Sequence, residues 1–169
     1  MNIKIRRAVK EDCESMMQLI HELAIYEREP DAITVTFNHF VESGFGEKPV
    51  WWAFVATSPR PSPGGEGEGE NEANILKDEV VGFALYYIRY STWKGQRMYL
   101  EDFLVSEKMR GKGIGQLLFD KLIEECKERK YSGMAWQVLN WNEPALNFYT
   151  KIDGVVIDKG WFNLRLEMD

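Results

Sequence analysis

Apolar and polar positions alternate in some segments of the chain, whereas in others the apolar positions recur every three or four residues. Alternation with a period of two predicts β-strands, and the longer spacing predicts amphipathic helices. Strands are predicted in "IKIRRA", "VWWAFVAT", "EVVGFALYYIRY" and "RMYLEDFLV", the last two forming a hairpin around "STWKGQ". Helices are predicted over residues 11–26, over residues 113–130 and, more briefly, after Thr36.

The last third of the chain continues this succession of strands and helices. A buried strand is predicted in "GMAWQVL", and two more strands in "GVVID" and "WFNLRLEM". A short helix is predicted in "NEPALNFYTK", with Asn142 as its N-cap and Pro144 in its first turn. The order β-α-α-β-β-β-α-β-α-β-β indicates an α/β fold with a mixed, mostly antiparallel central sheet of about six to seven strands, flanked by helices.

One segment interrupts the pattern. Residues 58–78 are rich in Pro, Gly and Glu, and nothing in "SPRPSPGGEGEGENEAN" can bury an apolar face. We expect a disordered surface loop inserted between two strands, because lengthening such a loop costs little free energy. Apart from this insertion, the chain is predicted to be a single domain over residues 1–169.

Composition narrows the class of protein. With 44% apolar and 13% aromatic residues the chain is globular in character, and no apolar run reaches the length of a membrane span. The charged N-terminal stretch does not resemble a signal peptide. A net charge of −6 argues against a nucleic-acid binder, although residues 59–74 alone carry −3 of it. Cys13 and Cys126 stand on apolar helical faces, which predicts reduced core thiols in a cytoplasmic protein.

A glycine-rich sequence, "RGKGIGQ", joins the predicted "RMYLEDFLV" strand to the following helix. The amides at a helix N-terminus can bind phosphate, and alternate glycines remove the Cβ atoms that would block its approach. The sequence therefore predicts a pyrophosphate site, with Arg110 adding positive charge. Neither the Gly-Lys-Ser/Thr of a P-loop nor the G-x-G-x-x-G spacing of a dinucleotide site is present. A glycine turn without a ligand remains the alternative.

With its strand and helix, the run from Arg110 to Gly115 resembles the acetyl-CoA signature of the GNAT superfamily of N-acetyltransferases. The segments "ELAIYE", "ESGFGEKP", "VGFALYYIRYSTWKGQRMYLEDFLV" and "WNEPALNFYTK" extend the resemblance to the spermidine/spermine and thialysine acetyltransferase branch. The resemblance implies a GNAT fold and transfer of an acetyl group from acetyl-CoA to a primary amine, by direct attack in a ternary complex. It also implies a homodimer.

The resemblance places the cofactor along the glycine join. Backbone groups of the preceding strand would pair with the pantetheine arm, and residues 111–116 would hold the pyrophosphate. The helix after Asn142 would meet the cofactor from the other side. The implied cofactor residues are Phe103, Leu104, Val105, Arg110, Gly111, Lys112, Gly113, Ile114, Gly115, Gln116, Asn142, Glu143, Pro144 and Lys151.

Two residues take catalytic roles by the same resemblance. Tyr149 matches the general acid that protonates the departing thiolate, with aromatic packing as the alternative. Glu101 lies near the acceptor amine, where it accepts a proton or orients the ammonium ion, with a structural ion pair as the alternative. Strand alternation predicts that Glu101 and Asp102 point to opposite faces.

The resemblance also assigns the acceptor site to Tyr26, Glu27, Trp93, Glu101 and Asp102. A carboxylate and an aromatic face suit a cation, whereas a solvated helix end and plain packing are the alternatives for Tyr26, Glu27 and Trp93. Polyamine acetyltransferases carry acids where this chain has Ser91-Thr92 and Asp158-Lys159. A shorter amine, or a lysine-like amino acid whose carboxylate a lysine can bind, is therefore as consistent as a polyamine.

Two other functions remain open from the sequence. The first is an acetyltransferase whose acceptor is a protein or peptide amine. The second is a non-catalytic module that binds acetyl-CoA as a sensor. His21 and His39 have no partners at metal-ligand spacing, so no metal site is predicted. Neither a nucleic acid nor a membrane is expected as a partner.

Overall fold

The computed structural model describes residues 2–59, 78–160, 163–164 and 166. It divides into two compact units, Met1–Trp136 and Gln137–Asp169. The predicted insertion at 58–78 lies outside the described residues except for its ends, of which Ser58 closes a strand. The prediction of a single domain over the whole chain stays a prediction.

The first unit is a five-stranded sheet with helices on both faces. Its strands are β1 (Lys4–Arg7), β2 (Trp52–Ser58), β3 (Glu79–Ser91), β4 (Gly95–Val105) and β5 (Met134–Trp136). They lie in the order β1-β2-β3-β4-β5, antiparallel throughout except for the parallel pair β4 and β5. The helices are α1 (Cys13–Tyr26), α2 (Phe37–Phe45) and α3 (Ile114–Glu128).

In the second unit, the described residues form one helix, α4 (Glu143–Tyr149). The strand predicted in "GVVID" is wrong, because residues 154–158 form no strand. Val156 and Ile157 are exposed there, and apolar β-formers build a strand only against a neighbouring strand. The "WFNLRLEM" prediction lies mostly outside the described residues. An α/β fold with a mostly antiparallel sheet is thus confirmed, with five strands among the described residues.

Each face of the sheet buries its own set of apolar side chains. On one face Leu85 and Phe83 belong to a cluster with Cys13 and Met16 of α1. On the other face α3 covers the sheet with Phe119 and its neighbours, which are fully buried. Both cysteines are buried, as their helical spacing predicts, and burial raises the pKa of each thiol to about 11. No helix in the described part of the chain has both the length and the apolar character that a bilayer crossing requires.

A buried carboxylate ties α3 to the sheet. Glu125 is only 4% exposed, and it accepts hydrogen bonds from Tyr86 Oη at 3.2 Å and Arg129 Nε at 3.0 Å. Arg7 of β1 forms an ion pair with the same oxygen and also donates to Tyr86 Oη at 2.8 Å. Burial alone raises the pKa of Glu125, but the bonds from Arg7 and Arg129 outweigh it and hold the pKa below its ordinary value. The network therefore requires Glu125 to be ionised.

Replacing Glu125 with Gln should lower the free energy of unfolding by about 2 kcal/mol at pH 7, because charge-assisted hydrogen bonds from two arginines are lost. The folded-state pKa lies below the unfolded value near 4.5, so the stabilisation is present above that pH. It disappears as the pH falls through the folded-state pKa. Urea unfolding of both proteins between pH 7 and pH 3 measures the difference.

Glu124→Gln is the matched control, because Glu124 is 59% exposed and pairs only with exposed Lys121 among the described residues. Its unfolding should hardly change at any pH. Equal effects of the two substitutions would contradict the assigned role of Glu125.

Candidate active site

A β-bulge interrupts the pairing of β3 with β4. Leu85 pairs with Asp102 and Tyr86 with Leu100, so Glu101 is an extra residue with no partner on β3. The inserted residue interrupts the period of two at this point, so the prediction that Glu101 and Asp102 point to opposite faces stays a prediction. Asp102 shares the face of Leu85, which is the face that α1 covers.

The bulge coincides with the end of the parallel pair. The pairing of β4 with β5 covers only Met98 to Leu100, and its last pair is Leu100 with Trp136. Beyond that point β4 has a strand partner on one side only, within the described residues. The predicted pantetheine residues Phe103, Leu104 and Val105 lie on this half-paired segment. Such a strand edge can pair with an extended, amide-containing ligand.

The glycine join has the backbone that an anion site needs. Gly111 and Gly113 have φ values of +72° and +79°, in the left-handed region that favours glycine. A Cβ at either position would meet no protein atom within 4 Å, so the space beside the loop is open. Gly113 is the N-cap of α3, and no side chain caps its amides. Buried Ile114 anchors this helix end.

The cations of the loop are partly held by the protein itself. Arg110 Nε donates to the Val105 carbonyl at 3.0 Å, and its guanidinium lies 5.1 Å from the ring centroid of Tyr26. Lys112 Nζ donates to the Lys108 carbonyl at 3.0 Å. Arg110 therefore connects the glycine loop with the end of α1, which carries two of the predicted acceptor residues.

Three predicted acceptor carboxylates come together in the structure. Burial raises the pKa of Asp102 to about 6, and the negative charges of Glu101 and then Glu27 add to the shift. Burial also raises the pKa of Glu27, at the end of α1. Ionising Asp102 between two other negative charges is costly, because each of them acts on this buried carboxyl. This arrangement favours a bound cation.

Sequence reasoning missed two aromatic residues beside these acids. Tyr87 and Tyr99 are paired across β3 and β4, with ring centroids 5.0 Å apart. Burial and then the charge of Glu101 raise the pKa of both hydroxyls. Their shared face is visible in the hairpin alternation, but their proximity to Glu101 depends on the bulge.

Trp93 lies in the hairpin turn, away from the three acids. It is 87% exposed in the turn between β3 and β4, where Ser91 Oγ accepts from the amides of Trp93 and Lys94. Glu101 is six steps along β4 from Gly95, which is about 20 Å.

The second unit holds the remaining predicted residues. The Asn142 side chain caps α4 by accepting from the Ala145 amide at 3.2 Å, and Pro144 lies in the first turn, so both predictions are confirmed. Glu143 begins the helix, whereas Lys151 follows it and is exposed. Tyr149 is 8% exposed and packs edge-on against Phe148, and burial raises the pKa of its phenol. Nothing among the described residues arranges three His, Cys, Asp or Glu side chains for a metal ion.

Comparisons with known proteins show the family of the chain. Residues 49–154 match the acetyltransferase (GNAT) family model. The chain is 35% identical to a thialysine N-epsilon-acetyltransferase of Bos taurus over 167 residues, which cover 98% of this chain and 92% of the relative. It is 30% identical to a spermidine/spermine N(1)-acetyltransferase-like protein of Homo sapiens, covering 98% of this chain but 23% of that protein.

The fold also matches a solved structure. An aminoglycoside acetyltransferase from an uncultured soil metagenomic sample superposes with a TM-score of 0.72, at 18% identity, over 98% of this chain and 97% of the other. At this identity the likeness concerns the fold alone. The family model and the curated relatives together show that the chain belongs to the acetyltransferase (GNAT) family and is an acyltransferase.

Proposed function

We propose that the protein transfers the acetyl group of acetyl-CoA to a primary amine of a small cationic acceptor, by direct attack in a ternary complex. The observation that carries the proposal is the meeting of Glu27, Glu101 and Asp102 beside the half-paired edge of β4. That edge leads into the glycine loop within a few residues. A cation site and a predicted thioester site are therefore adjacent in one unit of the chain.

The residues present fit acetyl-CoA. The open, left-handed glycines and the uncapped amides of α3 suit a pyrophosphate, and the edge of β4 from Phe103 to Val105 suits the amides of pantetheine. Arg110 and Lys112 supply positive charge at the loop. Acetyl-CoA supplies the acetyl group as an activated thioester. Asn142, Glu143, Pro144 and Lys151 are proposed contacts from the second unit.

The carboxylates prepare the amine. An alkylammonium ion has a pKa near 10.4, so presenting the neutral amine costs about 4 kcal/mol at pH 7. Glu101 and Asp102 hold the ammonium, and Glu101 accepts its proton or orients it. Glu27 and Tyr26 complete the site from the end of α1.

Tyr149 is the proposed general acid. Its buried phenol has a raised pKa, so it stays protonated at neutral pH. The hydroxyl then donates its proton to the departing sulfur, which removes the need to expel a free thiolate.

Relatives favour acceptors that carry a side-chain or terminal amine. The Bos taurus protein is named for thialysine and the Homo sapiens protein for spermidine and spermine. We propose a diamine, a polyamine or a thialysine-like amino acid as the acceptor. We also propose a homodimer in which exposed Trp93 of one copy lies at the acceptor site of the other.

A thiol-release screen with acetyl-CoA tests the function. We expect turnover with at least one member of a panel of diamines, polyamines, thialysine and lysine, and none without an amine. Aminoglycosides complete the panel. Acetylation of peptides that far exceeds small-amine turnover would show a protein acetyltransferase instead. Acetyl-CoA binding in calorimetry without thiol release from any amine would show a sensor.

Tyr149→Phe should lower kcat by about a hundredfold, because a general acid contributes at least that much. The Kd of acetyl-CoA should stay unchanged, since the ring remains. Steady-state kinetics and calorimetry measure the two quantities, with Tyr131→Phe as the control at another partly buried tyrosine. Near-normal turnover at neutral pH would remove Tyr149 from the mechanism.

The pKa of Asp102 should fall when a neighbouring charge is removed. Glu101→Gln should lower it more than Glu27→Gln, following the order of their contributions. Carbon-13 NMR titration of labelled aspartate carboxyls measures the change. Glu29→Gln is the control, because Glu29 does not contribute to the shift. An unchanged Asp102 pKa in all variants would show that the three acids do not form one site.

A further inference from the structure

The hairpin of β3 and β4 carries an ordered series of side chains on the face that α1 covers. Residues opposite each other in an antiparallel pair share a face, and every second residue returns to it. From the bulge outward, this face presents three cross-strand pairs: Leu85 with Asp102, Tyr87 with Tyr99, and Arg89 with Arg97. The series runs from an acid, through two phenols, to two guanidinium groups.

The spacing of the series suits a small zwitterion. Each step of two residues advances about 6.7 Å, so Asp102 and the arginine pair are about 13 Å apart along the backbone. The aspartate and arginine side chains shorten this gap. An extended lysine measures about 7 Å from carboxylate to side-chain amine, so it bridges the two ends when the aspartate and arginine side chains together reach about 6 Å toward each other.

The two arginines are incompletely neutralised. Like charges directly opposite each other destabilise a sheet. Arg97 Nη2 donates to the Met134 carbonyl at 3.2 Å, whereas its Nε is buried without a hydrogen-bond partner. Arg89 is exposed, and in the described ranges no carboxylate forms an ion pair with it. An anion bound here would relieve the repulsion, and the planar fork of Arg89 suits a carboxylate.

The electrostatics of the tyrosine pair support this polarity. After burial, the charge of Glu101 raises the pKa of Tyr87 and of Tyr99, and the charge of Arg89 lowers both. A negative and a positive group therefore act on the same two phenols. A ligand lying over those phenols meets opposite charges at its two ends.

We propose that Arg89 determines acceptor specificity by binding the carboxylate of an amino acid whose side-chain amine lies at Glu101 and Asp102. This inference rests on the proposed function. The enzyme then prefers lysine-like amino acids to diamines and polyamines, because the second ammonium group of a diamine would lie against Arg89 and Arg97 with no carboxylate beside it to offset the repulsion.

Lysine and 1,5-diaminopentane form the matched substrate pair, because they differ only in the carboxylate. In Arg89→Met the KM for lysine and thialysine should rise about tenfold or more, as expected for a lost charge-assisted bond, while the KM for the diamine falls because one repelling charge is gone. Arg89→Glu should raise the amino-acid KM further and lower the diamine KM several-fold. Arg89→Lys should restore part of the amino-acid preference.

Lys94→Met is the control, because it removes a cation from the turn of the same hairpin, off the strand face. It should leave both acceptors unaffected. Equal losses with lysine and the diamine in the Arg89 variants would overturn the inference and leave the acetyltransferase proposal intact. Acetylation of the diamine but not of the amino acids by the wild-type enzyme would also overturn the inference while leaving the acetyltransferase proposal intact. Absence of thiol release with every amine would instead refute the proposed function itself.

Discussion

The extra residue at Glu101 is the constraint on which the site depends. One inserted position in β4 ends the strict alternation, and the parallel pairing with β5 stops at the adjacent residue, Leu100. The same irregularity frees a strand edge for an extended ligand and turns Asp102 toward α1. Without the bulge, β4 could continue its ladder with β5, and that edge would be used up by the protein itself. A few backbone groups of β4 thus lack a partner strand on one side, which leaves them available to a ligand.

Much of the framework follows from local sequence. The period of α1 and α3, the hairpin around "STWKGQ" and the capping of α4 by Asn142 are all encoded within a few residues. The glycine loop was predicted for the same reason, since Gly111 and Gly113 adopt the left-handed backbone that their lack of a side chain permits. The resemblance to acetyltransferases added the family, which the family model and the curated relatives confirm.

What the sequence could not predict depends on pairs that are distant along the chain. Arg7 and Tyr86 meet across β1 and β3, and no local pattern announces that Glu125 will join them. The bulge is equally hidden, because "YLEDFLV" reads as an ordinary strand. The strand predicted in "GVVID" is wrong for a related reason. A segment of β-forming residues becomes a strand only where a neighbouring strand pairs with it, and the local sequence does not show whether such a neighbour is present. The position of Glu101 close to Tyr87 and Tyr99 is decided by strand register, which the alternation leaves undefined.

The burial of both cysteines has a practical consequence for measuring the enzyme. Cys13 is 0% and Cys126 8% exposed, and their raised pKa values keep them as protonated thiols. Disulfide reagents react with accessible thiolates, so the cysteines of the native protein should add almost nothing to the absorbance measured in a thiol-release assay. Maleimide or dithiobis reagents added during turnover would report free coenzyme A alone, and they would begin to label the polypeptide only once it unfolds.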